Sequence, residues 1–266
     1  MVLNALAGDK HIVHQMGDAP HAKATVGDVL VLEILTGTAD SVLPDFITDS
    51  DFPSPWLLAT FATHVARGLK SLHGAGLVHG DMKLQNVMWC AERLVFVLID
   101  FGLSSRVDER YNFMVHSRGC SAAEVMSWNA LVAAHPLPAQ LKYEAVARPG
   151  QPADIWALGC TLAKAAFGRP LFPNGGPEEQ SAVDRILDNR IREITSRYSR
   201  EFCQDLLQFL KRCLRVVPEE RATAEELCGS WQGAGTPSHQ DMMTLPSPVL
   251  RVDNVCDRWE KEPVQL

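Results

Sequence analysis

Two short segments, "HGDMKLQN" at residues 79–86 and "LVFVLIDFG" at 94–102, set the tightest limits on how this 266-residue chain folds. Each joins a brief apolar run to a cluster of carboxylate, amide and basic side chains. The pieces "LVHG", "NVMW" and "LVFVLIDFG" are too short for helices and are bounded by turn residues, so they read as small hairpin strands around a loop. The spacing is that of a loop, a strand, a turn and a strand. These segments carry Asp81, Asn86 and Asp100.

The flanking sequence changes period. "HIVHQM" (11–16) and "VLVLEIL" (29–35) read as two strands joined by a polar turn. From Pro53 onward Leu57, Phe61, Val65, Leu69 and Leu72 recur at helical spacing, and Gly74 and Gly76 end that helix. "DIWALGCTLAKAAF" (154–167) is apolar on nearly every side, which predicts a buried helix. Two further helices are predicted over 201–216 and 223–228. From Gly233 the chain is rich in Gly, Pro, Ser and Thr without periodicity and reads as a loosely docked tail. The fold class is α+β, a small strand-rich start followed by a large helical body.

Composition narrows the classes of function. Hydrophobic residues are 46% of the chain, sufficient for a sizeable core. A net charge of −7 argues against a general nucleic-acid surface, which needs a basic patch. No apolar run reaches membrane-span length, and the N-terminus lacks the pattern of a signal peptide. The seven cysteines form no C-x-x-C pair and read as reduced thiols, most of them buried, of an intracellular protein, cytoplasmic or nuclear.

In order and spacing, His79, Asp81, Lys83 and Asn86, then Asp100, Phe101 and Gly102, resemble the H-R-D-x-K-x-x-N and D-F-G motifs of the protein kinase superfamily. His79-Gly80 is also the form found in aminoglycoside and choline kinases, and "IDFGLS" occurs in small atypical kinases. On these two motifs the choice between protein and small-molecule acceptor stays open. The downstream sequence favours the protein kinases. "HSRGCSAAEVM" resembles the end of an activation segment in the cyclin-dependent and mitogen-activated kinase branch, matching at Ser117, Arg118, Ala122 and Glu124. "DIWALGC" supplies Asp154, Trp156 and Gly159 of a D-x-W-x-x-G motif, and "PEERATAEEL" supplies Arg221.

The resemblance implies a kinase-like fold with a mostly helical C-lobe and an incomplete small β N-lobe. Its parts would be residues 1–35 as N-lobe remnant and hinge, 36–231 as C-lobe, and 232–266 as tail. It implies ATP and Mg²⁺ as cofactors and transfer of the γ-phosphoryl group to a protein serine or threonine, with Lys83 favouring that acceptor over tyrosine. Asp81 would accept or orient the hydroxyl proton, and Lys83 would neutralise the transferred group. Asn86 and Asp100 are hard oxygen donors suited to Mg²⁺. Leu32, Glu33, Leu35 and Met88 would face the nucleotide base, Leu32 as gatekeeper and Met88 as floor. His79, Phe101 and Gly102 would shape the loops. Ser117 would bridge Lys83 and Asp81, Asp154 would hold the catalytic-loop backbone, and Glu124 would pair with Arg221.

Several departures qualify this reading. The Gly-rich phosphate loop, the strand Lys and the helix Glu of a kinase N-lobe are not found, so the chain is expected to be N-terminally truncated and, by itself, a poor enzyme. A pseudokinase or scaffold is the alternative, and a small-molecule kinase a lesser one. Cys120 and Ala123 replace the usual Tyr and Pro. Between Glu124 and Asp154 the connection is longer than usual and reads as a surface excursion. Gly80 stands where an Arg usually pairs with a phosphorylated activation segment. Ser104, Ser105, Tyr111 and Ser117 are available acceptors, but the predicted control is constitutive order or a regulatory protein partner.

Overall fold

The computed structural model describes residues 9–12, 15–18, 30–32, 37–38, 55–90, 95–107, 117–134 and 149–231, with backbone alone for 15–18, 30–32, 37–38 and Arg118. The tail beyond Gly233, residues Glu33 and Leu35, and Tyr111 lie outside the described residues, as does 135–148 of the long connection.

The body is organised by a helix that is apolar all round. Helix α3 (Gln151–Phe167) has every residue from Ala153 to Ala163 buried, so it must run through the core rather than along a surface. The helix α1 (Pro55–Gly74) packs against it. Along α1, Leu57, Phe61, Leu69 and Leu72 are fully buried and Val65 nearly so. Burial of each such side chain stabilises the fold by roughly 1.5–3 kcal/mol. Helix α5 (Arg200–Cys213) approaches α3 from another side. There Gly159 is required by proximity: a Cβ on it would lie 2.8 Å from Cys213 Cβ and 2.9 Å from Leu214 Cδ2.

Helix α2 (Ala123–Ala134) opens the long connection, and helix α6 (Ala224–Leu227) closes the body against α1. A further helix, α4 (Gln180–Ile194), packs on α5 and is missing from the sequence expectations. Its apolar positions, Val183, Leu187, Ile191 and Ile194, do recur at helical spacing. The stripe is narrow and set among charges, which hides it from a reading of apolar runs. Among the described residues no helix is long and apolar enough to cross a membrane.

Strands are short and antiparallel. Strands β1 (Gln15–Asp18) and β2 (Leu30–Leu32) pair with each other, with an irregular register between Gln15 and Gly17. The first begins later than the apolar pattern indicates. Residues 11–12 belong instead to the body, where Ile12 is buried and bridged to Leu98, and the His11 carbonyl accepts from Leu98 N. Strands β5 (Val87–Cys90) and β6 (Val95–Leu98) form a hairpin, extended by β3 (Gly37–Thr38) on the β5 side. Strand β4 (Leu77–Val78) pairs with β7 (Ser105–Arg106). These two sheets hold the loop 79–86 and the segment 99–104 between them.

Candidate active site

The loop 79–86 leaves β4 and ends in a single 3-10 turn, Leu84–Asn86, at the start of β5. Because Val87 is paired with Leu98, and Ile99 N donates to the Asn86 carbonyl at 3.0 Å, Asp100 emerges beside Asn86. Hairpin register therefore brings the two polar clusters together.

Asp81 is the centre. Lys83 Nζ donates to its Oδ2 at 2.6 Å, and Ser117 Oγ donates to its Oδ1 at 2.9 Å. Lys83 Nζ also reaches Ser117 Oγ at 3.3 Å, closing a triangle. Asn86 Nδ2 donates to the Asp81 carbonyl at 2.7 Å and to its Oδ2 at 3.1 Å. Burial alone would raise the Asp81 carboxyl, but the hydrogen bonds from Lys83 and Ser117, the Lys83 charge and the Asn86 amide together hold it below its ordinary value. Asp81 is thus an ionised acceptor at neutral pH.

Asp154, fully buried, sits under this loop. Its Oδ2 accepts from His79 N at 2.8 Å and from His73 Nε2 at 2.9 Å, and its Oδ1 accepts from Gly80 N at 3.0 Å. A carboxylate is stable at such a site only with partners of this kind. His79 has Nε2 on the Ile99 carbonyl (3.1 Å) and Nδ1 facing Asp81 N (3.3 Å). Nε2 therefore donates and Nδ1 accepts, which is the neutral ring. Burial lowers its pKa against the opposing pull of Asp154 and the Ile99 carbonyl. The Phe101 ring lies 5.3 Å from the His79 ring.

Gly80 has φ 80°, and a Cβ there would meet the Leu103 carbonyl oxygen at 2.5 Å. With the backbone at Leu103 placed as it is in this chain, a side chain at position 80 is strained unless that backbone shifts, a constraint the sequence does not reveal. Asp100 adopts φ 58°, and its Oδ1 accepts from Gly102 N at 3.2 Å. A non-glycine residue in the left-handed region is strained, and such strain is concentrated at functional sites. Ser104 Oγ donates to the His79 carbonyl at 2.9 Å, and Ser105 is buried in β7. Both hydroxyl-bearing residues are built into the loop's support, which makes Ser105 in particular inaccessible as a phosphate acceptor.

Glu124 and Arg221 form a bidentate pair, Nη1–Oε1 2.6 Å and Nη2–Oε2 3.0 Å. The other guanidinium hydrogens go to the carbonyls of Arg215, Pro152 and Val216. The guanidinium carbon lies 5.0 Å from the centre of the Trp156 ring. This ties α2, and the segment containing Ser117 before it, to α3.

Of the expected base-binding residues, Met88 alone has a described side chain. Met88 is half-buried on β5, packed with Cys90, Val95 and Val97. Leu32 ends β2, described there by backbone alone.

No group of three or more His, Cys, Asp or Glu side chains among the described residues could form a metal cage. The donor set nevertheless suits Mg²⁺, which keeps few protein ligands and takes the rest from phosphates and water. Asn86 spends its amide nitrogen on Asp81, so its amide oxygen is the atom left for a hard cation, with the Asp100 carboxylate emerging beside it.

Comparison with known proteins gives the same grouping. The chain is 29% identical over 231 residues to the human serine/threonine-protein kinase Kist, covering 86% of this chain and 53% of that protein. It is 31% identical over 176 residues to mitogen-activated protein kinase kinase kinase 1 of Arabidopsis thaliana, covering 64% of this chain and 25% of that protein. Against the mitogen-activated protein kinase mpkC of Emericella nidulans it is 27% identical over 192 residues, covering 62% and 41%. The chain thus spans about half the length of the Kist proteins it matches. The model of the protein kinase domain matches residues 2–231, a stretch that runs from before the first described strand to just past the last described helix, and the chain belongs to that family.

Proposed function

We propose that this chain is the catalytic domain of a protein serine/threonine kinase that transfers the γ-phosphoryl group of ATP to a hydroxyl of a protein substrate. The observation that carries the reading is the ionised Asp81 carboxylate, held at both oxygens by Lys83 and Ser117. An acceptor hydroxyl placed against Asp81 finds a base of fixed orientation, and orientation of reacting groups is the larger part of catalysis in phosphoryl transfer. Lys83 stands beside it to neutralise negative charge on the group in transit. Asn86 and Asp100 would hold Mg²⁺. When bound, the Mg²⁺–nucleotide supplies the transferable phosphoryl group. Asp154 contributes by fixing the backbone at His79 and Gly80, so it positions rather than reacts.

A second reading is a scaffold that binds partners through its helical lobe. One experiment separates the two. Phosphate transfer from labelled ATP to a basic test protein is followed with Mg²⁺, for the chain and for Asp81→Asn. The kinase reading expects slow transfer that falls at least about 100-fold in the variant, the scale of a lost general base. A folded chain with no Asp81-dependent transfer would move the conclusion to the scaffold.

A further inference from the structure

The outer edge of β6, the side away from β5, is held by two histidines and a short segment of chain. Phe96 N donates to His64 Nδ1 on α1 at 3.2 Å, and Leu98 N donates to the His11 carbonyl at 2.9 Å. The Phe96 carbonyl faces His11 Nδ1 at 3.4 Å. Val97 stands between these two residues opposite Met88, so by alternation its amide turns inward to β5. The covering segment, residues 9–12, also grips α1. Ile12 is buried and bridged to Leu98, Asp9 Oδ1 accepts from His11 N at 2.7 Å, and Asp9 Oδ2 accepts from Ser71 Oγ. The fit is close at Gly68, where a Cβ would lie 3.0 Å from both the His11 carbonyl oxygen and Leu98 Cδ1.

These bonds require both rings to be neutral. His64 accepts at Nδ1, so its proton is on Nε2. His11 donates from Nδ1, so its Nε2 carries a lone pair, and that atom is buried with no hydrogen-bond partner among the described residues. A proton added to His64 Nδ1 would confront the Phe96 N–H. A proton added to His11 Nε2 would be a buried charge with no acceptor. The ring centres are 4.8 Å apart, so charging both sets two cations side by side. Among the described residues the other charges acting on the pair are Lys10 and Asp9 on the segment and Arg67 on α1, and of these Asp9 alone favours protonation, at His11. Strand β6, Val95–Leu98, has no titratable side chain.

We infer that residues 9–12 are a strap that protonation of His11 and His64 releases from β6, a proton-operated device on the strand that delivers Asp100. His64 is only partly buried, which gives the proton a way in. Release opens the outer edge of β6 and leaves its pairing with β5 in place. Asp100 lies two residues beyond Leu98, so the edge that opens leads into the candidate site. The inference concerns docking of the strap and holds whether the chain transfers phosphate or serves as a scaffold. Docked, both rings are kept neutral by burial. Released, they meet water and titrate near pH ~6.5, so acid favours release. Between pH 7 and pH 5.5 the released population should rise about eightfold if one histidine takes up a proton and about seventyfold if both do.

Hydrogen exchange of the full chain, read amide by amide by NMR at pH 7 and pH 5.5 in 0 to ~1 M urea, tests this. Global unfolding also exposes both histidines, so the urea slope is needed to separate release from unfolding. At pH 5.5 the Phe96 and Leu98 amides should be protected at least about tenfold less than Val97, with little dependence on urea. Their protection should also be about eightfold or more below its pH 7 value. Val97, on the inner edge of the same strand, should keep a steep urea slope. In the double variant His11→Asn, His64→Gln, whose amides can hydrogen-bond but do not titrate, Phe96 and Leu98 should show less than about a twofold change between the two pH values. The inference is overturned if Phe96 and Leu98 share the protection and urea slope of Val97 at pH 5.5, or if their protection does not fall between pH 7 and pH 5.5. A fall that persists in the folded variant overturns it as well. If the double variant does not fold, the comparison within β6 of the unaltered chain decides by itself.

Discussion

Replacing Arg221 with Ala is expected to be among the most destabilising single changes in the body. The side chain has no solvent exposure and spends all five guanidinium hydrogens, two on Glu124 and three on backbone carbonyls. Truncation leaves the Glu124 carboxylate, itself only 19% exposed, without its cation, and strips three carbonyls of a donor. Breaking one side of a buried pair costs about 3–5 kcal/mol. For a domain of this size each kcal/mol lowers Tm by about 2–4 °C, so a fall of roughly 6–20 °C is expected. Arg221→Lys should recover little, because an ammonium has three donors and no fork to match the carboxylate and carbonyls. Calorimetry of the single variants, Glu124→Gln and the double variant gives the coupling directly, expected at about 1–3 kcal/mol for groups in contact. A Tm loss under about 3 °C for Arg221→Ala, or strict additivity in the cycle, would refute the claim that this pair fastens α2 to the core.

Gly80→Ala should lower stability by about 2 kcal/mol or more, since it adds left-handed strain to a 2.5 Å approach to a backbone oxygen. An unchanged Tm would show that the 102–104 segment yields freely. Acidification should weaken the fold well above the carboxylate range. Burial depresses His11 to about 4, opposed by its hydrogen bond to Phe96 and by Asp9 and helped by Lys10 and Arg67, and it depresses His64 to about 3, where His11, Arg67 and Lys10 push the same way. Both are neutral when folded, and His64 Nδ1 accepts from Phe96 N at 3.2 Å, a bond that a proton would abolish. Their folded pKa lies below the unfolded value, so the stabilisation is complete above about pH 6.5 and is lost as pH falls toward 4, about 2 kcal/mol per histidine by pH 5. Urea midpoints at pH 7 and pH 5 measure this, and His64→Gln should flatten the slope.

Much of the fold lies in local pattern. The α1 face from Leu57 to Leu72 is readable because a 3.6-residue period has only one use, to bury one side of a helix. The hairpins that carry Asp81, Asn86 and Asp100 are equally local, and so the convergence of those residues follows from a span of about twenty positions. Helix α4 escaped because its apolar stripe is diluted by charge, and the start of β1 was misplaced because His11 and Ile12 are apolar enough for a strand yet bond to β6 instead. Asp154 and Arg221 could be named from sequence as partners of the loop and of Glu124. Which atoms they satisfy could not, since their contacts cross 75 and 97 residues and several end on backbone carbonyls that every residue possesses. The handedness of Gly80 and the burial of Ser105 belong to tertiary structure alone. Periodicity records which side of an element is apolar. It carries no record of which element will lie opposite, and it is the opposite element that decides whether a glycine is crowded or a hydroxyl covered.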